Sequence, residues 1–288
     1  MHDYVLALLL GIVEGLTEFL PVSSTAHLRI CQNLFGIALD DGYWKMFAIV
    51  IQLGAILTLP LYFRDRIANF LATFPDGERG DRTLATHPLS LVLIAFVWTA
   101  APAFLLTKVI GKHLESLVIM GSSLVLGGVI MWVIDALYTR GALTHDTGHM
   151  EEMSLGQAVW IGICQTLSAV FPGTSRSMST IAAGQMAGMS RSAALEFSFF
   201  LSIPTMVVAT SYDLFKSVRP HHGEPAVIGH LALTSQNWIT LAIGFVVSFV
   251  VAYGVVAWFM KWVRTRGFVP FAAYRLLVGA AVLWMALK

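Results

Sequence analysis

Long apolar runs separated by short polar loops dominate the chain, and the places where polar residues interrupt those runs define its elements. Pro88–Thr107 and Ser116–Ile134 carry no charge at all. Each is near the roughly 20 residues that a helix needs to cross ~30 Å of hydrocarbon. Runs of this kind predict spanning helices over 43–63, 88–108, 116–138, 192–214, 238–262 and 268–287. Two other apolar segments are broken. Tyr4–Leu20 is apolar apart from Glu14 and Glu18 and stops at Pro21, and a further helix over about Ser24–Phe35 follows, with Ser23 or Ser24 as its cap. At ~1.5 Å per residue that second piece is about 18 Å long, too short to span. Ser154–Phe171 likewise ends at Pro172-Gly173-Thr174-Ser175-Arg176-Ser177, with a short helix to about Gly188. Both pairs predict re-entrant hairpins, over 4–35 and 154–188, because a break at membrane depth survives only where protein or a polar cavity covers it.

The chain therefore reads as one unit written twice: a broken hairpin and three spans in 1–138, a polar loop over Thr139–Met153, and the same pattern in 154–288. Sliding by 151 residues matches Gly11 with Gly162, Ile12 with Ile163, Leu16 with Leu167, Pro21 with Pro172 and Ser24 with Ser175, five identities in fourteen positions where about one is expected by chance. Glu14 falls on Gln165. Three spans per unit, an odd number, turn the second copy over. The expected fold is an all-α polytopic membrane protein with an inverted-topology repeat, its broken helices meeting near the midplane.

Composition sharpens this picture. Only 12% of the 288 residues are charged and 57% are hydrophobic, against about 25% charge in an ordinary soluble domain. A net charge of +1 argues against a nucleic-acid surface. No basic segment precedes the first apolar run, so no cleavable signal is expected. The loops after the first, third and fifth spans carry Arg64, Arg66, Arg79, Arg82, Arg140, Arg264 and Arg266, against Lys108, Lys112, Lys216 and Arg219 on the other side. The positive-inside rule makes the first set cytoplasmic and puts the N-terminus and the first hairpin's mouth outside. Cys31 and Cys164 show no metal-ligand spacing and read as small buried apolar residues.

The chemistry concentrates in the two breaks. Glu14 and Glu18 are four apart, so their carboxylates stack one turn apart on one helix face. Two close carboxylates repel unless a cation lies between them or one holds a proton. This suits a divalent-ion site or an acid/base pair, while a structural hydrogen-bonded pair is the plainer reading. His27 lies one turn into the next helix, where an imidazole suits proton transfer or phosphoryl acceptance, although a lone His is more often structural. Arg176 stands between Ser175 and Ser177 at a helix start after Pro-Gly. A helix N-terminus with free N–H groups and an Arg is an anion site that suits phosphate. With inverted repeats, Ser23, Ser24 and Thr25 would offer a second such N-terminus. Of the other ionisable residues, Glu196 and Arg275 read as sitting within spans, where each is either functional, in a structural ion pair or snorkelling. Asp135 reads as reaching water, and His221-His222 as a solvated loop.

The stretches E-G-L-T-E-F-L-P-V-S-S-T-A-H at Glu14–His27 and P-G-T-S-R-S-M-S-T at Pro172–Thr180 resemble the two signature motifs of the undecaprenyl-pyrophosphate phosphatases, the bacitracin-resistance proteins. The resemblance extends over I-Q-L-G-A-I-L at Ile51–Leu57, E-F-S-F at Glu196–Phe199 and essentially the whole chain. Ala26 and Met178 depart from it, standing where the family usually has Gly. The resemblance implies an integral enzyme that removes the terminal phosphate of undecaprenyl diphosphate, recycling the lipid carrier of cell-wall precursors. It also implies an outward-facing site in the bacterial inner membrane and a divalent cation, Mg or Ca. Its functional residues fall on Glu14, Glu18, Ser24, His27, Ser175, Arg176 and Thr180.

These lines give a set of expectations. Glu18, Ser24, His27 and Arg176 are the catalytic candidates, and the attacking group is His27, Ser24 or water. Ser23, Thr25, Ser175, Arg176, Ser177 and Thr180 are the phosphate-binding candidates, and Glu14 with Glu18 the metal ligands. The expected partners are a polyprenyl diphosphate lipid, membrane lipid and, in a homodimer, a second copy of the chain, with no nucleic acid. The rival reading is a transporter or flippase for a phosphorylated polyprenyl lipid, because broken helices in inverted repeats also build transporters.

Overall fold

The computed structural model describes residues 3–38, 41–106, 116–143, 146–218 and 234–287. His221-His222, Lys108, Lys112 and Arg219 lie outside these residues, as does the end of the expected 88–108 span. The described chain is helical: α1 (Asp3–Thr17), α2 (Ser24–Leu34), α3 (Gly42–Ile56), α4 (Thr58–Tyr62), α5 (Arg64–Ala72), α6 (Pro88–Leu105), α7 (Leu117–Thr139), α8 (Leu155–Val170), α9 (Arg176–Met186), α10 (Arg191–Val218), α11 (Ser235–Thr265) and α12 (Val269–Ala286). Among the described residues, six helical stretches are long and apolar enough to cross a membrane: 42–62, 88–105, 117–139, 191–215, 235–265 and 269–286. They coincide with the six expected spans to within a few residues at their ends. Both short hairpin arms are present as well. Polar residues set the boundaries as capping chemistry predicts. Asp41 accepts from the Trp44 N–H at 3.0 Å, Ser116 from Ile119 at 3.3 Å, and Ser154 forms a capping box with Gln157.

Two features escaped the sequence reading. The first span bends at Leu57 between α3 and α4, and α5 forms from the polar stretch after it. Asp135 corrects an expectation: it does not reach water. It is 2% exposed, accepts from Arg191 Nε at 2.8 Å, and takes the backbone N–H of Phe268 at 3.0 Å. The two cysteines are free and half-buried.

The chain packs into two compact units. Of the described residues, one holds those within 1–19, 24–62 and 203–257, the other those within 20–23, 63–202 and 258–288. In the first, Ala7, Leu10, Leu28, Met46, Phe47, Ile51 and Leu241 form the core. Small residues bring helices close there: a Cβ on Gly15 would lie 2.7 Å from Val251 Cβ and 2.8 Å from the Ser248 carbonyl. In lipid, apolar burial offers little gain over lipid contact, so close packing and hydrogen bonds carry the cohesion. Ser248 adds one such bond, donating to the Ile51 carbonyl at 2.7 Å. In the second unit, α8 meets α6 at Gly162, where a Cβ would collide with the Ala95 carbonyl. Thr99 locks that contact, donating to the Gly162 carbonyl at 2.9 Å and accepting from Gln165 Nε2 at 3.1 Å.

Candidate active site

The second hairpin breaks because its backbone leaves helical space. Gly173 has φ 92°, and a Cβ there would strike the Met120 carbonyl. Ser175 has φ 72°, in a region that costs a non-glycine residue of order 1 kcal/mol. Its hydroxyl offsets the strain by capping α9, accepting from the Met178 N–H at 3.3 Å, and lies 3.1 Å from Ser177 Oγ. The first break likewise has a positive φ one residue before α2, 74° at Ser23. Strained non-glycine residues at both breaks point to a functional constraint rather than to loop economy.

Residues 20–23 pack within the second unit, so there the two breaks are in direct contact. Ser177 Oγ donates to the Leu20 carbonyl at 2.9 Å. Arg275, on α12 and fully buried, donates to the carbonyls of Pro21 at 3.0 Å, Gly173 at 3.0 Å and Ser123 at 3.1 Å. Sequence reasoning left Arg275 as functional, paired or snorkelling. It neither pairs nor snorkels, and binds the carbonyls that two broken helices leave open. Met178 packs against Gly127 of α7, where a Cβ would come 2.8 Å from Met178 Cε.

Arg176 begins α9 and donates to Ser202 Oγ and, at 3.4 Å, to the Ser198 carbonyl of α10. Its guanidinium is thus held against α10, while its backbone opens α9, whose free N–H groups suit an anion. Thr180 is fully buried, and its hydroxyl bonds the Arg176 carbonyl at 3.0 Å and Ser198 Oγ at 2.6 Å. It anchors α9 to α10.

In the first unit, Glu14 is fully buried on α1 and neither of its oxygens has a hydrogen-bond partner. Glu18 lies one residue past the helix end, but its N–H still bonds the Glu14 carbonyl at 2.9 Å, which keeps the two carboxylates stacked. Ser24, the first residue of α2, donates its hydroxyl to Glu18 Oε2 at 2.6 Å. This is a charge-assisted O–H···O bond at the short, strong end of the range. His27 is half-buried one turn further on, and Thr25 is exposed. Among the described residues no group of three His, Cys, Asp or Glu converges as a ready-made metal cage.

A charged network forms near the start of α10, where Glu196 makes the structural ion pair that the sequence allowed. Arg66 of α5 bonds Glu196 at 2.9 Å and pairs with Glu151. Burial alone would lower the Arg66 pKa, but these two carboxylates outweigh it and raise it. Burial likewise pushes Glu151 up, while the Arg66 hydrogen bond and charge bring it below the usual carboxylate value.

The model of the "Bacitracin resistance protein BacA" family matches residues 7–281. The chain belongs to the BacA family. An undecaprenyl-diphosphatase of Koribacter versatilis is 67% identical over 288 residues, covering all of both chains. Proteins of the same name from Caldanaerobacter subterraneus and Bradyrhizobium sp. strain ORS 278 are 39% and 42% identical, with at least 96% of each chain covered. The BacA match spans both breaks, the Glu14–Glu18–Ser24 cluster, Arg176 and Arg275.

Proposed function

We propose that the protein hydrolyses undecaprenyl diphosphate to undecaprenyl phosphate and inorganic phosphate in the bacterial inner membrane. The observation that carries this reading is the 67% identity, along the entire chain, to a relative named undecaprenyl-diphosphatase. In this reading Glu18 is the base that its bond with Ser24 suits it to be. The Ser24 hydroxyl attacks the terminal phosphorus as Glu18 takes its proton. The bond to the bridging oxygen breaks and undecaprenyl phosphate leaves, and water then hydrolyses the phosphoserine to free phosphate. Arg176 and the N–H groups opening α9 bind anionic oxygens, and His27 serves proton transfer. Ser175 and Ser177 shape the strained turn before that helix.

The unpartnered buried oxygens of Glu14, beside Glu18, fit a divalent cation such as Mg or Ca. When bound, such an ion would neutralise the two carboxylates and stabilise developing phosphate charge.

The inverted repeat belongs to the same proposal. Helices α2 and α9 are each eleven residues long. Each follows a serine in the left-handed region, Ser23 and Ser175, and α1 meets α11 as α8 meets α6, through glycines at Gly11 and Gly162. The arginine-rich loops, cytoplasmic by the positive-inside rule, support an N-terminus and a reaction on the outer face.

Phosphate release from purified protein in detergent, with undecaprenyl diphosphate as substrate, tests the reading. Turnover lost in Arg176→Ala with the fold intact supports it. A wild-type protein that releases no phosphate but moves the lipid between leaflets would be a transporter instead.

A further inference from the structure

The second unit holds a polar cavity of about 170 Å³ that none of the proposed catalytic residues lines. Glu78, Arg79, Arg82, His87, His149 and Glu151 line it, together with Pro88, which opens the apolar helix α6. It therefore lies where that helix meets the membrane–water boundary. A single ordered water needs only about 10–15 Å³ of such space, whereas drug-sized ligands take about 300–1,000 Å³. The cavity suits a compound of a few non-hydrogen atoms and excludes a polyprenyl chain.

Two orphaned atoms say what that compound must offer. His87 is fully buried, with the rings of Phe70 and Phe74 edge-on to it at 6.1 and 5.1 Å. Its Nδ1 accepts the Leu89 N–H at 3.3 Å, so the neutral ring carries its proton on Nε2. That Nε2 has no partner. Burial and the nearby Arg82 charge both lower the His87 pKa, keeping the ring a neutral donor. A buried donor without an acceptor costs about 1–3 kcal/mol, so the site calls for an acceptor. Glu78 and Asp81 share the lining with Arg79 and Arg82, but Asp81 is 3.9 Å from Arg82 Nε, a loose pair, so the two guanidiniums can still meet an anionic acceptor. Glu151 supplies the opposite demand. Its Oε1 holds Arg66, while its Oε2 is buried with no donor. Glu152 is already committed to the N–H groups of Gly148 and His149, at 2.8 and 3.1 Å.

We propose that this cavity binds a small zwitterion that joins an anionic oxygen group to an ammonium, the chemistry of phosphoethanolamine. The anion meets His87 Nε2, Arg79 and Arg82, and the ammonium meets Glu151. The zwitterion can come from a free solute or from the headgroup of a membrane lipid.

Calorimetric titration of the full-length protein in detergent, with phosphoethanolamine, inorganic phosphate and ethanolamine as separate probes, tests the proposal. Phosphoethanolamine is expected to bind saturably and at least tenfold tighter than either half. Arg79→Ala, at an exposed position that should not disturb folding, and His87→Phe should each weaken it at least fivefold. Native mass spectrometry from phosphatidylethanolamine bilayers, with phosphatidylglycerol as the control, separates the sources. A retained phosphatidylethanolamine that phosphoethanolamine displaces identifies the lipid headgroup, and binding of the free compound alone identifies the solute. No saturable binding and no lipid adduct, or affinity unchanged in both variants, would show a cavity that holds only water. Phosphate binding as tightly as phosphoethanolamine would overturn the role of Glu151.

Discussion

Arg275 reaches the carbonyl of Pro21 at 3.0 Å across 254 positions of sequence, and the same guanidinium holds the carbonyl of Gly173. The two breaks are therefore tied by one buried cation that donates to backbone rather than to a carboxylate. Removing it would leave the two buried carbonyls of Pro21 and Gly173 open, each worth about 1–3 kcal/mol when unsatisfied. Arg275→Met should lower the melting temperature in detergent markedly and abolish phosphate release. Arg275→Lys, which cannot make a forked contact, should recover part of the stability. A Met variant that melts and turns over like wild type would rule out the tie.

The Ser24–Glu18 bond predicts coupled behaviour. Ser24→Ala and Glu18→Gln should each cut turnover by at least about 10²-fold, and the double variant should lose little more, because both act in one proton transfer. Trapping with substrate labelled in the terminal phosphate should label wild-type protein and leave Ser24→Ala unlabelled. Label retained in Ser24→Ala would move the attack to His27 or elsewhere.

What the sequence made legible follows from where the information lies. Pro21 and Pro172 announce breaks because proline and its neighbours refuse helical continuation, and Glu14 and Glu18 announce a stacked pair by spacing alone. Arg275 was illegible because its partners are carbonyls, which every residue carries. Asp135 was misread because Arg191 and Phe268, which satisfy it, are brought in by tertiary structure from 56 and 133 positions away. Helix α5 was missed because Arg64-Asp65-Arg66 has the composition of a loop, and its anchor, Glu196, sits on a distant helix.

Asp135 gives a stability prediction. Replacing one partner of a buried ion pair costs about 3–5 kcal/mol, though Arg191 is 19% exposed and can partly rehydrate. Asp135→Ala should therefore fall toward the lower end, about 3 kcal/mol. Asp135→Asn should cost less, because its amide oxygen can still accept the Phe268 N–H. Thermal or denaturant unfolding of the two variants in detergent measures the difference.

The Arg66–Glu151 pair carries a pH dependence with a definite sign. The folded state holds the Glu151 pKa below its usual value, so its contribution is fully present above an unfolded pKa near 4.3. It is lost as pH falls through the lower folded value. The melting-temperature gap between wild type and Glu151→Gln should be open at pH 6 and should narrow progressively as the pH falls below the usual carboxylate range. Because Glu151 is about one-third exposed, salt should narrow the gap at pH 6. A gap that does not change between pH 6 and acid pH would mean that packing, not charge, holds this corner.

The glycines at the helix contacts give the last test. A methyl group at Gly15 must displace Val251 or the Ser248 backbone of α11, whereas at Gly156, early in α8, the nearest atom to a new Cβ is 3.9 Å away. Overpacking a close contact typically costs about 1–3 kcal/mol, while Gly→Ala in an open helical position gains up to about 1 kcal/mol. Gly15→Ala should thus destabilise and Gly156→Ala should not, although both raise helix propensity equally. Gly15 also lies between Glu14 and Glu18, so a shift of α1 away from α11 would move the carboxylates. Gly15→Ala is expected to lose phosphate release beyond what its lower melting temperature explains. Wild-type turnover in that variant would show that the acidic cluster does not depend on the close approach of α1 and α11.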